Sequence, residues 1–239
     1  MLFRSFTKIP IPNWRITYDG LSKLPLFKRL FNTVNLSHSY RSTFNINSFS
    51  RNLNYVDGEH ETARDASGNF IAQKEIAQVS ISEQFAPLIG VDVTWKNNIQ
   101  TRVEFKRDRN VSLSYAGVQI TEVKGNELTL GFGYRLPSFN LPFKVNGKTR
   151  RMPNNSINLT ADVSARRNIT IIRRLLEGVN QPTAGLYVYS IKFAADYTVN
   201  ERVNLRMFYE QTVNKPVIST SYPTSNINAG FELRFSLSQ

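Results

Sequence analysis

The chain contains no cysteine among its 239 residues. That excludes a disulfide framework, thiolate metal ligation and a cysteine nucleophile. Histidine is almost as scarce, with only His38 and His60. Two are too few for a multi-histidine metal centre and leave little from which to build a serine-hydrolase triad. Carboxylates are outnumbered: 18 Asp+Glu against 30 Lys+Arg leave a formal charge of +12 and an isoelectric point near 10.0. Such a balance points to an anionic partner, either nucleic acid or a membrane surface. No apolar run approaches the roughly 18 residues of a membrane-spanning helix, and the mean hydropathy is −0.33. Met1 to Pro10 lack the apolar stretch and the small-residue cleavage site of a secretory signal. The expectation is a cytoplasmic protein or a piece of something longer. Aromatics make up 12% of the chain, with 16 Phe and 10 Tyr, which is not the composition of a disordered basic tail.

The order of the residues is more informative than their sum. Leu24, Phe27, Leu30 and Phe31 recur at helical spacing, Pro25 suits a first turn, and Lys28 and Arg29 fall on the other side. This predicts a short basic amphipathic helix, capping a core edge or lying at a membrane interface. From Val34 onward the period becomes two. Val34, Leu36, His38, Tyr40, Phe44 and Ile46 share one parity, and Asn35, Ser37, Ser39, Arg41, Thr43 and Asn45 the other. Successive side chains of a strand point to opposite faces, so each such run has an apolar and a polar face. The same pattern predicts ten strands, at 33–49, 77–96 (kinked at Pro87), 99–106, 111–123, 127–137, 156–166, 169–175, 186–198, 203–213 and 226–237. Short turns are expected at Asn97-Asn98, 107–110, Lys124-Gly125-Asn126, 166–168 and 199–202. Ala116-Gly117 reads as a bulge. Longer connections are expected at 50–70, 138–154, 176–184 and 214–225.

A soluble sandwich turns the apolar parity inward, and a transmembrane barrel turns it out to lipid. Parity alone leaves both open. Runs of 9–14 residues, against the roughly 9–11 needed to cross a membrane, favour the barrel. So do the alternation of short turns with long loops and the placement of Trp95, Tyr115, Tyr134, Tyr187, Tyr189, Tyr197 and Tyr209 near strand ends. The fold class expected is therefore all-β, an antiparallel transmembrane β-barrel wall of about ten strands with a short N-terminal helix. The chain divides into 1–31, an extended segment plus that helix, and 32–239, the strands. The polar parity carries Asp92, Lys96, Arg102, Glu104, Lys106, Arg135, Asp162, Arg166, Lys192, Asp196, Arg206, Glu210, Glu232 and Arg234. In a barrel these would face the lumen, both signs interleaved as cross-strand pairs require.

Motifs of chemistry are few. Gly131-Phe132-Gly133 lies within a strand pattern and is no phosphate loop. The pairs Arg150-Arg151, Arg166-Arg167 and Arg173-Arg174 suit phosphates of nucleic acid or lipid, or simply solvated loops and strand ends. His38 falls on the apolar parity with no acid nearby in sequence, which suits packing or an interface rather than catalysis. No catalytic residue, cofactor site or metal site is expected, and the protein is read as a non-enzyme.

Several segments carry a resemblance. Ile9-Pro10-Ile11-Pro12-Asn13-Trp14-Arg15-Ile16-Thr17-Tyr18-Asp19-Gly20-Leu21 and Leu36-Ser37-His38-Ser39-Tyr40-Arg41-Ser42-Thr43-Phe44 are two of them. Pro87-Leu88-Ile89-Gly90-Val91, Trp95-Lys96-Asn97-Asn98, Asn204-Leu205-Arg206-Met207-Phe208-Tyr209-Glu210 and Ser219-Thr220-Ser221-Tyr222-Pro223-Thr224 are others. Together they resemble the C-terminal region of the outer-membrane translocon of the type 9 secretion system, the SprA/Sov family of gliding-motility proteins. The resemblance implies a very large single-chain barrel, of the class that reaches about 36 strands. It implies export of folded cargo proteins across a bacterial outer membrane. The partners it implies are the missing N-terminal part of the translocon, a shuttle barrel and a periplasmic plug, with outer-membrane lipid around the wall and no nucleic acid. The last strand, with Phe231, Leu233, Phe235 and Leu237 on one face, suits recognition by barrel-assembly machinery. A self-contained small outer-membrane barrel, adhesin or lipid-modifying enzyme, is the alternative, and a soluble basic sandwich that binds nucleic acid is a third.

Overall fold

The computed structural model describes residues 12–55, 64–137, 155–200, 203–218 and 221–235. His60, Arg150, Arg151 and Leu237, named above, lie outside them. The described residues form one antiparallel sheet of nine strands in sequence order. These are β1 (Trp14–Tyr18), β2 (Phe31–Arg51), β3 (Lys74–Trp95), β4 (Ile99–Ser114), β5 (Gln119–Pro137), β6 (Ser156–Arg174), β7 (Val179–Asn200), β8 (Val203–Ile218) and β9 (Thr224–Phe235). Each pairs only with its neighbours in the chain, so β1 and β9 each pair with one strand and the sheet is not closed.

One helix interrupts the pattern. α1 (Pro25–Leu30) follows a 3₁₀ turn at Gly20–Lys23 and has Pro25 in its first turn, where a missing N–H costs nothing. Lys28 and Arg29 occupy its last turn, where they face the negative end of the helix dipole. It ends where Phe31 turns to extended backbone, beginning β2 with its ring edge-on to Trp95 at 4.6 Å. The helix buries none of its residues, and Leu26 is 75% exposed. It therefore does not cap a core.

The sequence divides the sheet differently from the structure at three places. Asp108-Arg109-Asn110, Lys124-Gly125-Asn126 and Arg166-Arg167-Asn168 have turn composition, yet all three lie inside strands. The register explains why. Arg107 faces Asn126, which faces Arg167, and Asp108 faces Gly125, which faces Asn168. Three apparent turns are one polar belt crossing three adjacent strands, its groups satisfied sideways rather than by chain reversal. The chain reverses instead at Tyr115–Val118 and Leu175–Gly178. There Val118 (φ 42°) and Gly178 (φ 64°) take the left-handed conformation. Asn98 takes it too (φ 62°), as expected for the turn after Trp95. Ten predicted strands thus become eight long ones plus β1. The expected alternation of short and long connections fails as well. The connections 52–73 and 138–155 lie at opposite ends of the sheet, so neither end is uniformly short.

Pro87 interrupts the ladder as expected. It has no N–H to give, and register slips on both sides of it, between Phe85 and Ile89 and between Ser37 and Tyr40. Side chains of β2 take up the carbonyls that the slip frees. Ser39 donates its hydroxyl to the Ala86 carbonyl, and His38 Nδ1 lies 2.6 Å from the Leu88 oxygen. A carbonyl only accepts, so His38 carries its proton on Nδ1. Its ring sits between Trp14 at 6.3 Å and Phe85 at 6.0 Å. His38→Ala should lower stability by about 1–2 kcal/mol, read as a reduced urea midpoint in detergent, while His38→Asn, which can still donate, should lose less.

Candidate functional site

Backbone register assigns every strand residue to one of two faces. On the first, Leu36, Val91, Val103, Leu130, Val163 and Ile191 lie side by side across β2 to β7. The apolar parity holds from Leu128 to Leu136 in β5 and from Ile157 to Ala165 in β6. These spans match a membrane-crossing strand of about 9–11 residues. No second layer of described residues covers this face. Among the described residues the buried hydrophobics are Val34, Tyr40 and Tyr197 alone, while Leu130 is 47% and Phe231 76% exposed. Trp95 and Tyr134 flank Ile99 at one edge of the band, and Tyr187 and Tyr189 lie at the other. Tyr209 falls in the middle of the band and Tyr115 in a turn, so the aromatic girdle is only partly formed.

The opposite face is polar, and there the register gathers the residues expected to face a lumen. Asp92, Arg102, Gly131, Asp162, Lys192 and Glu210 form one row across six strands. Arg102 Nε meets Asp92 Oδ1 at 2.7 Å, and Lys192 Nζ meets Glu210 Oε1 at 2.6 Å. In neighbouring rows Lys106 pairs with Glu104 at 3.0 Å, Arg206 with Asp196 at 3.7 Å and Arg234 with Glu232 at 3.2 Å. Arg166 reaches both Asp108 (2.9 Å) and Glu127 (3.0 Å). Arg135 lies opposite Asn158 and makes no ion pair among the described residues. Lys96 is the exception to the row pattern. It sits in the turn after β3, its amide donating to the Leu30 carbonyl at 3.3 Å. Most of these pairs are solvent-exposed, and each contributes about 0–1 kcal/mol. Their effect is a wetted surface with interleaved charge rather than a large gain in stability.

Glycine hollows this face. A Cβ on Gly131 would lie 2.8 Å from Asp162 Oδ1, and one on Gly125 would lie 2.5 Å from the Asp108 carboxylate. Beside Gly131 and Gly133 the sheet holds an open hollow of about 470 Å³ lined by Asp92, Arg102 and Asp162. A second, of about 380 Å³, adjoins it across Thr160 and Asp162, with Lys192, Arg206 and Glu210 around it. Asp162 borders both hollows and has no ion-pair partner among the described residues. No grouping of three or more His, Asp or Glu that could hold a metal occurs among the described residues.

The sequence pattern did not single out Glu122. It lies on the mainly apolar face of β5, and its side chain is 1% exposed. Arg109 Nε (2.6 Å), Arg173 Nη2 (2.6 Å) and Lys124 Nζ (3.2 Å) converge on it. Arg109 continues to Glu83 at 3.3 Å, which accepts from the Tyr40 hydroxyl at 3.1 Å. The network ties β2 to β6 above the apolar band. The available signal was the charge of Glu83, Arg109, Glu122, Lys124 and Arg173 at apolar-parity positions. It was hidden by reading 107–110 and 124–126 as turns. Outside the wall, in the connection after β2, the Asp65 carboxyl is held below its ordinary pKa by the Asn69 amide N–H and side chain, despite the desolvation that opposes this.

No protein-family model and no curated protein matches the chain.

Glu122→Ala leaves three cations facing one another and should destabilise the sheet by about 2–3 kcal/mol. Arg173→Ala leaves the carboxylate two partners and should cost about 1 kcal/mol. The temperature at which the folded form converts to the unfolded one on a semi-native gel orders the two.

Proposed function

We propose that this chain forms part of the wall of an outer-membrane channel that exports folded proteins, as its resemblance to the type 9 translocon implies. One observation carries the reading. A single sheet presents an uncovered apolar band of membrane-crossing height on one face and a charge-paired, glycine-hollowed surface on the other. Water cannot be the intended solvent for both faces, since a contiguous apolar patch of this extent marks a surface that something else covers. Lipid on the apolar face and an aqueous pore on the polar face satisfy both at once.

The two edges favour a large wall over a self-contained small barrel. Among the described residues β1 and β9 each leave one row of N–H and C=O groups without a partner strand, and in a bilayer such groups must be satisfied by further strands. The remaining N-terminal part of the translocon supplies them in this reading. The mechanism is passive and involves no catalysis. Asp92, Arg102, Glu104, Asp162, Lys192, Arg206 and Glu210 keep the pore wall hydrated. Cargo then slides over bound water instead of adhering to apolar surface. The shuttle barrel and periplasmic plug would act at the rims.

Photo-crosslinking tests this in cells. A benzophenone side chain placed at Ser164, on the polar face, should capture exported proteins in transit. The same group at Val163, one residue away on the apolar face, should capture none. Equal capture at both positions, or capture only at Val163, contradicts the reading. Trimming residues 228–239 should also abolish assembly into the outer membrane, measured by fractionation.

A further inference from the structure

The basic excess of the chain is not spread evenly over the wall. Just beyond the apolar band, on the same face, the register aligns Arg107, Asn126, Arg167, Tyr187 and Lys215 across β4 to β8. Arg107, Arg167 and Lys215 are exposed and have no acidic partner among the described residues. This sets them apart from Arg109, Lys124 and Arg173, which Glu122 occupies. It also separates the two members of Arg166-Arg167. Arg166 is held by two carboxylates on the polar face, whereas the Arg167 guanidinium stands 5.6 Å over the Tyr187 ring. Lys215 is similarly placed 5.7 Å from the Tyr189 ring. Aromatic faces hold both cations out along the sheet without neutralising them.

A shallow concavity of about 190 Å³ straddles the boundary. Its floor toward the band is Phe105, Leu128, Ala165 and Tyr189. Its other side is Asn126, Arg167 and Tyr187, with Glu127 and Arg166, paired to each other at 3.0 Å, completing the lining; Arg107 lies just outside it, opposite Asn126. Strands lie about 4.8 Å apart, so Arg107 and Arg167, two strands apart, stand roughly 10 Å from one another with the Asn126 amide between them. From backbones that far apart two arginine side chains can close on a single phosphate, with the amide between them. The apolar floor below accepts the first carbons of an acyl chain.

We propose that this row is a binding site for an anionic phospholipid, its phosphate held by Arg107, Asn126 and Arg167 and its chains lying on Leu128 and Ala165. The proposal rests on the reading that the apolar face meets lipid. Burial of the site at a bilayer edge strengthens each charge-assisted bond by lowering the local dielectric.

Native mass spectrometry of the detergent-solubilised protein tests it, with phosphatidylglycerol and phosphatidylcholine as probes. The wild-type chain should retain phosphatidylglycerol at least fivefold more than phosphatidylcholine. R107Q together with R167Q should remove that preference, while R102Q with K192Q, an equal loss of charge on the polar face, should keep it. Unchanged retention in the first double variant, or equal loss in both, overturns the proposal. Displacement of the lipid by inorganic phosphate alone, with no dependence on the acyl chain, also overturns it and leaves a free-phosphate site. Alkaline carbonate extraction of membranes separates this from failure of the membrane reading. If the wild-type chain is extracted, the bilayer reading fails. If it stays embedded but the variants bind lipid normally, the lipid site alone fails.

Discussion

Parity held in register is the constraint on which the molecule depends. In a two-layer protein a misplaced side chain meets a partner sheet that resists it. Here the described residues form no second layer, and each strand is positioned by the strands beside it. A one-residue slip in any long hairpin would carry a row such as Asp92, Arg102, Asp162 and Lys192 onto the apolar face. Specificity must therefore come from lateral pairs. Ion pairs across neighbouring strands supply it on the polar face. On the other face the aromatic contacts of Trp14 with Tyr40 (4.6 Å) and Tyr40 with Phe85 (4.8 Å) supply it near β1. The Glu122 network supplies it beyond the apolar band, where one buried carboxylate gathers three half-exposed cations, and it is the strongest of these devices. An uncompensated carboxylate there would be costly, so register errors in β4 to β6 are strongly disfavoured.

The same constraint explains how the sheet tolerates Pro87. A bulge shifts register by a residue or two, and in a single-layer sheet that shift would propagate to every strand beyond it. The slips on the two sides of β3 occur at the same level, so parity is restored within a few residues. His38 and Ser39 satisfy the carbonyls left over. The packing role expected of His38 thereby gains a specific cause, the Leu88 carbonyl that the slip frees.

Much of this was legible in the sequence, and the failures have one cause. Alternation at 99–106, 127–137 and 156–166 put Arg102, Glu104, Lys106, Arg135, Asp162 and Arg166 on one face, as the register does, because side-chain direction follows from backbone geometry alone. Asn97-Asn98 was readable as a turn because few residues accept a positive φ. The turns inferred at 107–110, 124–126 and 166–168 were wrong because Asp, Asn, Gly and Arg have two uses. They end strands, and they also satisfy one another across strands, and only the register tells which. Glu122 was invisible for the same reason, since its partners Arg109 and Arg173 are remote in sequence. The hollows beside Gly131 could not be foreseen either, because they depend on which residue stands opposite each glycine.

The central claim is that one face of the sheet meets lipid and the other water. Nitroxide labelling along β5 tests it directly, and the absence of native cysteine makes single-site labelling clean. With labels placed one at a time from 127 to 136 in outer-membrane vesicles, collision rates with oxygen and with a water-soluble nickel chelate should alternate with a period of two. Leu128, Leu130, Phe132 and Tyr134 should be oxygen-accessible and nickel-inaccessible, with Glu127, Thr129, Gly131 and Gly133 the reverse. Low accessibility to both reagents at the apolar positions would mean that protein, not lipid, covers that face, and would contradict the account.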